Sequence, residues 1–381
     1  MTCIFTTFRI IFNATRQKMA SRLGQLKSNG GGAKTYLDSP KGVGQKTLNN
    51  NNKKGGNVKQ LRRRLSVVSD NKLIEGMSKM NTEDDDATGG SMAFITGYAG
   101  VSKKGYAPYN PRKQNQDRLV MASDKETGNF MLGVWDGHGE AGHLVSQAFK
   151  TGYAEAVFSD PAYKRGGAGI NTALAKHFKS IEKKVLNDPS IDTEFSGTTA
   201  VSGVITLDKK LYCANCGDSR LCLGELATNG RIVAKEVSID HKPDDVEEKK
   251  RIEANGGRVF AVQYDDGVDG PARVWLKHMD IPGLAMSRSL GDTVAHSAGV
   301  ISEAETYIVD LTNTTKTLII ASDGLWEFID NQEALDLIKD VPRDNPEAAV
   351  DILAKESHKR WMREEQVVDD TTIAVAYFDI K

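Results

Sequence analysis

Phe130-Met131-Leu132-Gly133-Val134-Trp135-Asp136-Gly137-His138-Gly139 is an apolar run that stops abruptly at an acid, a glycine and an imidazole. The run reads as a strand and the Asp-Gly step as the turn that ends it. A carboxylate, an unshielded backbone carbonyl and an imidazole then share one strand end. That set suits a hard divalent cation with a proton donor beside it. A single Asp-Gly turn carries little weight, because the dipeptide is ordinary turn chemistry. The pattern gains meaning because it recurs.

Three other apolar runs also meet acids. Leu211 to Cys216 leads into Gly217-Asp218-Ser219-Arg220, and Thr317 to Ser322 into Asp323-Gly324-Leu325-Trp326-Glu327. Val367-Val368 leads into Asp369-Asp370, followed by the apolar stretch Thr372 to Phe378. Strands that share a sheet can bring such ends to one rim, where carboxylates repel unless cations neutralise them. An oxygen-only donor set, without clustered His or Cys, points to Mg²⁺ or Mn²⁺ rather than Zn²⁺.

The chain around these runs divides in two. At 381 residues it accommodates one large domain with an appendage, and its 39% hydrophobic and 27% charged residues are those of an ordinary water-soluble protein. The net charge of -1 conceals a split: residues 1–80 hold 16 Lys and Arg against 3 Asp and Glu, a net of +13 that leaves -14 on the rest. Residues 1–90 read as a basic, mostly disordered arm with polar tracts at Asn29 to Gly32 and Asn49 to Asn52. Residues 91–381 form the folded body. An acidic body is a poor nucleic-acid binder, and no apolar run is long enough to span a membrane.

Two features of the arm bear on regulation and location. Arg62-Arg63-Arg64-Leu65-Ser66 resembles a site for a basophilic kinase, which would act on Ser66. Met1 to Leu26 lacks acids and carries Arg9, Arg16, Lys18 and Arg22, the composition of an organellar transit peptide. The expected location is cytoplasmic or nuclear, or mitochondrial if that segment acts as a transit peptide. The four cysteines are too few for a disulfide framework, and Cys213-Ala-Asn-Cys216 lies in a strand-like run, so core cysteines are expected there.

Strands are expected at Leu119–Ala122, Phe130–Trp135, Thr199–Leu207, Lys210–Ala214, Arg220–Leu223, Leu318–Ala321 and Thr372–Phe378. Helical spacing marks Gly142–Val157, Ile170–Leu186, Asp244–Asn255, Asn331–Lys339 (capped by Asp330) and Asn345–Arg363. Strands and helices do not alternate regularly, which favours an α+β layered protein over a doubly wound parallel sheet. The segment His241 to Met286, with a polar loop over Tyr264 to Pro271, is expected to form a flap beside the site.

Read in order, Asn115-Gln116-Asp117, Asp136-Gly137-His138-Gly139, Ser196-Gly197-Thr198-Thr199-Ala200, Gly217-Asp218-Ser219-Arg220, Ser287-Arg288-Ser289-Leu290-Gly291-Asp292, Ser322-Asp323-Gly324-Leu325-Trp326 and Asp369-Asp370 resemble the PP2C-type metal-dependent serine/threonine protein phosphatases. The resemblance covers roughly residues 93–380. It implies a four-layer α/β/β/α sandwich of two central antiparallel sheets flanked by helices, with two metal ions at one rim. By that likeness Asp136 bridges both ions, Asp323 and Asp369 complete one site, and the Gly137 carbonyl serves the other, with Asp117 acting through water. Arg112, five residues before Asp117, matches the arginine that holds the substrate phosphate. His138 matches the general acid and Asp218 a ligand of a third, looser ion.

The implied reaction is attack on a phosphoserine or phosphothreonine ester by a metal-bridging water or hydroxide, with phosphoproteins as substrates and a monomer as the working unit. The chemistry agrees: two ions about 3.5–4 Å apart supply charge neutralisation and a nucleophile, and arginine's planar fork fits phosphate oxygens. Two positions depart from the common family pattern, Gln116 where glutamate is frequent and Glu327 where aspartate is frequent. A cysteine-based phosphatase is excluded, since neither Cys213 nor Cys216 has an arginine six positions on. The rival reading is a PP2C-like scaffold without catalysis, which should have lost metal ligands; Asp136, Asp323 and Asp369 are all present.

Overall fold

The computed structural model describes residues 92–264 and 267–381. The basic arm, Ser66 and the proposed transit segment lie outside them. In chain order the strands are β1 (Ile95–Lys103), β2 (Asp117–Ser123), β3 (Phe130–His138), β4 (Gly197–Thr198), β5 (Ala200–Ile205), β6 (Lys210–Cys216), β7 (Arg220–Leu226), β8 (Ile232–Glu236), β9 (Arg258–Tyr264), β10 (Gly267–Leu276), β11 (Met279–Leu284), β12 (Leu290–Gly291), β13 (Glu305–Asp310), β14 (Thr315–Ala321) and β15 (Thr371–Phe378). The helices are α1 (Gly142–Phe158), α2 (Pro161–Lys164), α3 (Ala168–Leu186), α4 (Val246–Ala254), α5 (Thr293–His296), α6 (Asp323–Trp326), α7 (Asn331–Ile338) and α8 (Pro346–Glu364).

Alternation along β3 explains the layering. Phe130, Leu132 and Val134 belong to one buried cluster, with Leu221, Leu318, Ile320, Ala374 and Phe378 from the other sheet. Met131 and Trp135 point the opposite way into a second cluster, with Phe149 and Tyr153 of α1 and Phe178 of α3. Successive side chains of a strand face opposite sides, so a run apolar at every position must be covered on both. The same division recurs in β15, where Ala374, Ala376 and Phe378 face the other sheet while Ile373 and Val375 meet Leu353 of α8.

Two antiparallel sheets therefore stack between helical layers. One is five-stranded, β1-β15-β14-β7-β8; the other is seven-stranded, β12-β4-β3-β5-β6-β13 with β2 also paired to β3. This is the α+β four-layer sandwich expected from the sequence. The helices pack by their apolar spacing: Val145, Phe149, Tyr153 and Val157 of α1 recur every fourth residue and are all buried. Side-chain caps fix the starts of α7 and α8, Asp330 accepting from the Glu333 amide and Asn345 from that of Ala348.

The segment 258–284 is more regular than expected. It forms a three-stranded sheet, β11-β10-β9, and the expected polar loop is largely a paired hairpin, with Tyr264 opposite Gly267 and Val262 opposite Asp269. Ladder hydrogen bonds are made by backbone, so a polar composition does not forbid them, and Asp-Asp-Gly is itself hairpin-turn chemistry. Ile252 of α4, Val274, Leu284 and Met286 form a small core under this flap.

A buried ion cluster ties the flap down. Glu248 of α4 is 5% exposed and accepts from Arg251 Nη1 at 2.6 Å and Arg288 Nη2 at 2.7 Å, and also from the Ser287 hydroxyl. Burial opposes its ionisation, but Arg251, Arg288 and Ser287 outweigh that and hold the carboxyl down at about 2. A depressed carboxyl contributes stability that is fully present above its unfolded value near 4.5 and is lost as pH falls through about 2. Glu248→Gln is expected to cost on the order of 2 kcal/mol at neutral pH. In urea unfolding, its gap from the parent protein should narrow steadily below pH 4.5; a gap independent of pH would refute the assignment.

Candidate active site

Asp117 opens β2 and Asp136 lies near the end of β3, and the two are direct cross-strand partners. Like charges placed opposite each other destabilise a sheet, so this pairing has to be compensated. Local geometry holds both acids in place. The Asn115 side chain accepts from the Asp117 amide at 2.9 Å, and Thr199 bonds Asp136 twice, through its hydroxyl at 3.2 Å and its amide at 2.9 Å. Gly137 must be glycine: an added Cβ would lie 2.4 Å from the Gly142 carbonyl oxygen.

Across the sandwich, β14 ends at Ala321 and delivers Ser322 and Asp323. The Ser322 hydroxyl donates to Asp117 Oδ2 at 2.7 Å and accepts the Thr372 amide at 3.0 Å, so one side chain joins the two sheets. Asp323 begins α6 and hydrogen-bonds the Asp136 carboxyl. The α6 turn is itself pinned, because Gly324 O accepts from Ser357 and from Trp361 of α8, both at 2.7 Å.

The electrostatic consequence is strong. Burial, the neighbouring Asp370 and Asp323 push the Asp117 carboxyl up to about 7. Burial together with Asp117, Asp323 and Asp218 drives Asp136 well above the ordinary carboxylate range. Oδ1 of Asp117 and Oδ1 of Asp218 are buried without a hydrogen-bond partner among the described residues. Carboxylates that resist ionisation, with unshared oxygens and no nitrogen or sulfur donors, fit a hard divalent cation. Among the described residues no three His, Cys, Asp or Glu side chains converge into a closed cage. Around them stand other acids and two lysines.

The first lysine is Lys113, whose Nζ lies 2.5 Å from Asp370 Oδ1 and 3.6 Å from Asp369 Oδ1. Asp370 is 3% exposed and also accepts from the amides of Gly105 and Gln116 at 2.7 and 2.8 Å, clamping the approach to β2 against β15. Asp369 is half-buried, with Oδ1 accepting the Asp370 amide at 2.8 Å. The Gln116 side chain, at the position where glutamate is frequent in the family, donates to Gly139 O at 2.7 Å. Arg112 stands exposed in the turn before β2 and makes no hydrogen bond or ion pair among the described residues.

The second lysine is Lys242, whose Nζ is 2.6 Å from Asp218 Oδ2. Both line a pocket of about 70 Å³, with Arg220, Asp240, Asp323, Trp326 and Glu327. Burial disfavours the Lys242 charge, but Asp218 outweighs it and pushes the ammonium's pKa up. Glu327 stands at the edge of this pocket, its carboxyl raised by desolvation and by Asp323.

His138 is held by Asp292, with Nε2 2.6 Å from Oδ2. Asp292 is 2% exposed and takes a left-handed backbone, φ 36°, a costly conformation for a residue with a side chain. Gly197 makes room for it, since a Cβ there would sit 2.1 Å from Asp292 Oδ2. Burial works against the imidazolium, yet the Asp292 charge and hydrogen bond raise His138 above its ordinary value. Nδ1 is buried and has no partner among the described residues. Asp292 lies in one of the family-like stretches but carries no role legible in the sequence, and neither do Ser322, Lys113 and Lys242.

A four-layer sandwich whose two sheets share one acidic rim defines a class, the PP2C-type protein phosphatases. The family profile "Protein phosphatase 2C" matches residues 113–364, and this chain belongs to that family. Probable protein phosphatase 2C 64 of Oryza sativa subsp. japonica is 36% identical over 275 residues, covering 70% of this chain and 63% of that protein. Probable protein phosphatase 2C 35 of Arabidopsis thaliana is 35% identical over 301 residues, 73% of this chain and 82% of that protein. The chain thus spans just under two thirds of the Oryza relative's length. Among solved structures, a serine-threonine phosphatase 2C from Toxoplasma gondii superposes with a TM-score of 0.63 at 20% identity, covering 74% of this chain and 94% of that one. A C. elegans sex determining protein follows at 0.59 and 20%, covering 75% and 65%. At those identities the likeness is one of fold.

Ser322→Ala removes both halves of the cross-sheet link and strands buried groups, at an expected cost of about 1–3 kcal/mol. Thermal unfolding measured in chelator should show it, because the link needs no cation. An unchanged midpoint would refute the bracing role.

Proposed function

We propose that the chain hydrolyses phosphoserine and phosphothreonine esters in proteins with the help of two divalent cations, Mg²⁺ or Mn²⁺. The observation that carries this reading is the junction of Asp117, Asp136 and Asp323, three acids from two sheets brought together against their mutual repulsion. Asp136, Asp323, Asp369 and the Gly137 carbonyl would hold the ions, with Asp117 beside them. When bound, the ions neutralise charge on the phosphate and make water acidic enough to supply a nucleophile near neutral pH.

The chain's own groups do the remaining work. Arg112, exposed and uncommitted, offers two N–H groups to the phosphate oxygens and orients the ester. His138 holds a proton at Nδ1 for the departing serine or threonine oxygen, while Asp292 fixes the ring through Nε2. Such a donor contributes roughly 10²–10⁴-fold, because an alkoxide leaves poorly without it. Flap strands β9–β11 provide a surface that could select among phosphoproteins.

Turnover of phosphoserine and phosphothreonine peptides with added Mn²⁺ tests the reading, and a well-folded protein with no metal-dependent turnover would favour the scaffold reading. Asp323→Asn should lower kcat/KM by more than about 100-fold, beyond the loss of an outer hydrogen-bond partner, with the fold intact by circular dichroism. Arg112→Ala should raise KM about tenfold with a smaller effect on kcat, since phosphate is held in ground and transition states alike. A change confined to kcat would contradict that role.

A further inference from the structure

Arg118 of β2 is held in place without an acid. Its Nε donates to Gln147 Oε1 at 2.7 Å, Nη1 to the carbonyls of Asn115 and Asp117, both at 2.8 Å, and Nη2 to the His143 carbonyl at 3.4 Å. All four acceptors are neutral oxygens, so they fix the direction of the guanidinium and leave its charge uncompensated there. Two more basic side chains flank it. His143, Gln147 and Lys150 recur at helical spacing on α1, and His143 and Lys150 are both half-buried. Neither makes an ion pair among the described residues, and the first turn of α1 holds no acid. Burial, and then the Arg118 charge, push both groups below their ordinary values, and only a backbone hydrogen bond at Glu140 opposes this at His143. In a body whose residues 81–381 carry a net -14, three basic side chains gathered without an acid are out of character.

We infer that Arg118, His143 and Lys150 form a subsite for an anionic side chain of the phosphoprotein substrate, a carboxylate or a second phosphate, a few residues from the ester being cut. The inference rests on the phosphatase reading above. Asp117 faces the opposite sheet, where Ser322 bonds it, so Arg118, the next residue of β2, faces α1. Val120 and Ala122 share that face, packed in one cluster with Val145 and Phe149. The acids whose charge Arg118 feels, Asp117 and Asp370, belong to the rim on the other side of the strand. Among the described residues β2 pairs with β3 alone, so rim and basic cluster lie on two sides of one edge strand. An extended substrate, advancing roughly 3.3 Å per residue, passes from one to the other within a few residues. A cation already fixed needs little further ordering when an anion arrives, and partial burial strengthens their attraction relative to open water.

Peptides carrying one phosphoserine ester, with a glutamate, a phosphonate mimic of phosphoserine or an alanine placed two to six residues to either side, test this when turned over by the full chain with Mn²⁺. At one or two adjacent positions an anionic residue should lower KM about fivefold relative to alanine, an advantage that fades as salt rises. A gain with the phosphonate alone assigns the subsite to a phosphate, and a gain with both assigns it to anions generally. Lys150→Glu should abolish the ratio between the alanine and anionic KM values, and Lys150→Arg should keep it. A merely structural defect would move both KM values together. Equal KM values at every position in the parent protein, or a ratio that survives Lys150→Glu, overturn the inference, while turnover of the alanine peptides keeps the phosphatase reading. No turnover of any peptide by well-folded protein would overturn both.

Discussion

Two carboxylates facing each other across one pair of strands, Asp117 and Asp136, set the terms for the rest of this structure. Neither sheet propensity nor core packing favours that arrangement, and burial makes it worse. The surroundings serve to hold the pair. Thr199 fixes one backbone, Asn115 the other, and Ser322 reaches across from the opposite sheet. Glycines at 137, 197 and 324 clear the space that close approach requires. Such concentrated cost at one rim, in a protein whose cores are otherwise conventionally apolar, is what singles this rim out as the candidate site.

The rim handles its charge by division. Asp136 and Asp323 share a hydrogen bond, Asp369 and Asp370 face Lys113, Asp218 faces Lys242, and Asp292 is turned aside to His138. The acids are divided among different neighbours, so one type of side chain can hold ions, brace a loop or orient a proton donor within a single site. The His138–Asp292 pair shows how far this goes. A strained backbone at Asp292 is tolerated because it aims one carboxylate at one ring nitrogen.

Much of the fold was legible because its central strands are apolar on both faces. The run Thr372 to Phe378 could be placed almost to the residue, and Asp330 and Asn345 announced their helices. The turn expected at Asp136-Gly137 is not formed: β3 continues through His138, because Gly137 and His138 find ladder partners in β4. The edge strand β13 and the flap were not legible. Glu305 to Asp310 alternates between half-buried and exposed residues, and the flap ladder runs through Asp-Gly chemistry that resembles a loop. In the site, acids at strand ends could be read from the chain because each is a local event. Lys242 and Lys113 could not, since their partners lie 24 and more than 250 residues away and nothing local marks the pairing. Adjacency hid one further distinction: Asp369 and Asp370 look alike in sequence, yet Asp370 is the buried clamp that bears on Asp117.

The Ser322 link has a mechanical side. Two sheets joined only by apolar side chains resist separation but slide with little penalty, because dispersion has no preferred direction. Hydrogen bonds do, and the pair made by Ser322 sets the lateral alignment of the sheets at the end where Asp117, Asp136 and Asp323 meet. A slip of even a fraction of a residue would pull those acids apart while leaving the greasy interior almost undisturbed. With the Asp370 clamp on the Gln116 amide, this hydroxyl acts as a dowel, turning a stack that could shear into one whose rim stays in register.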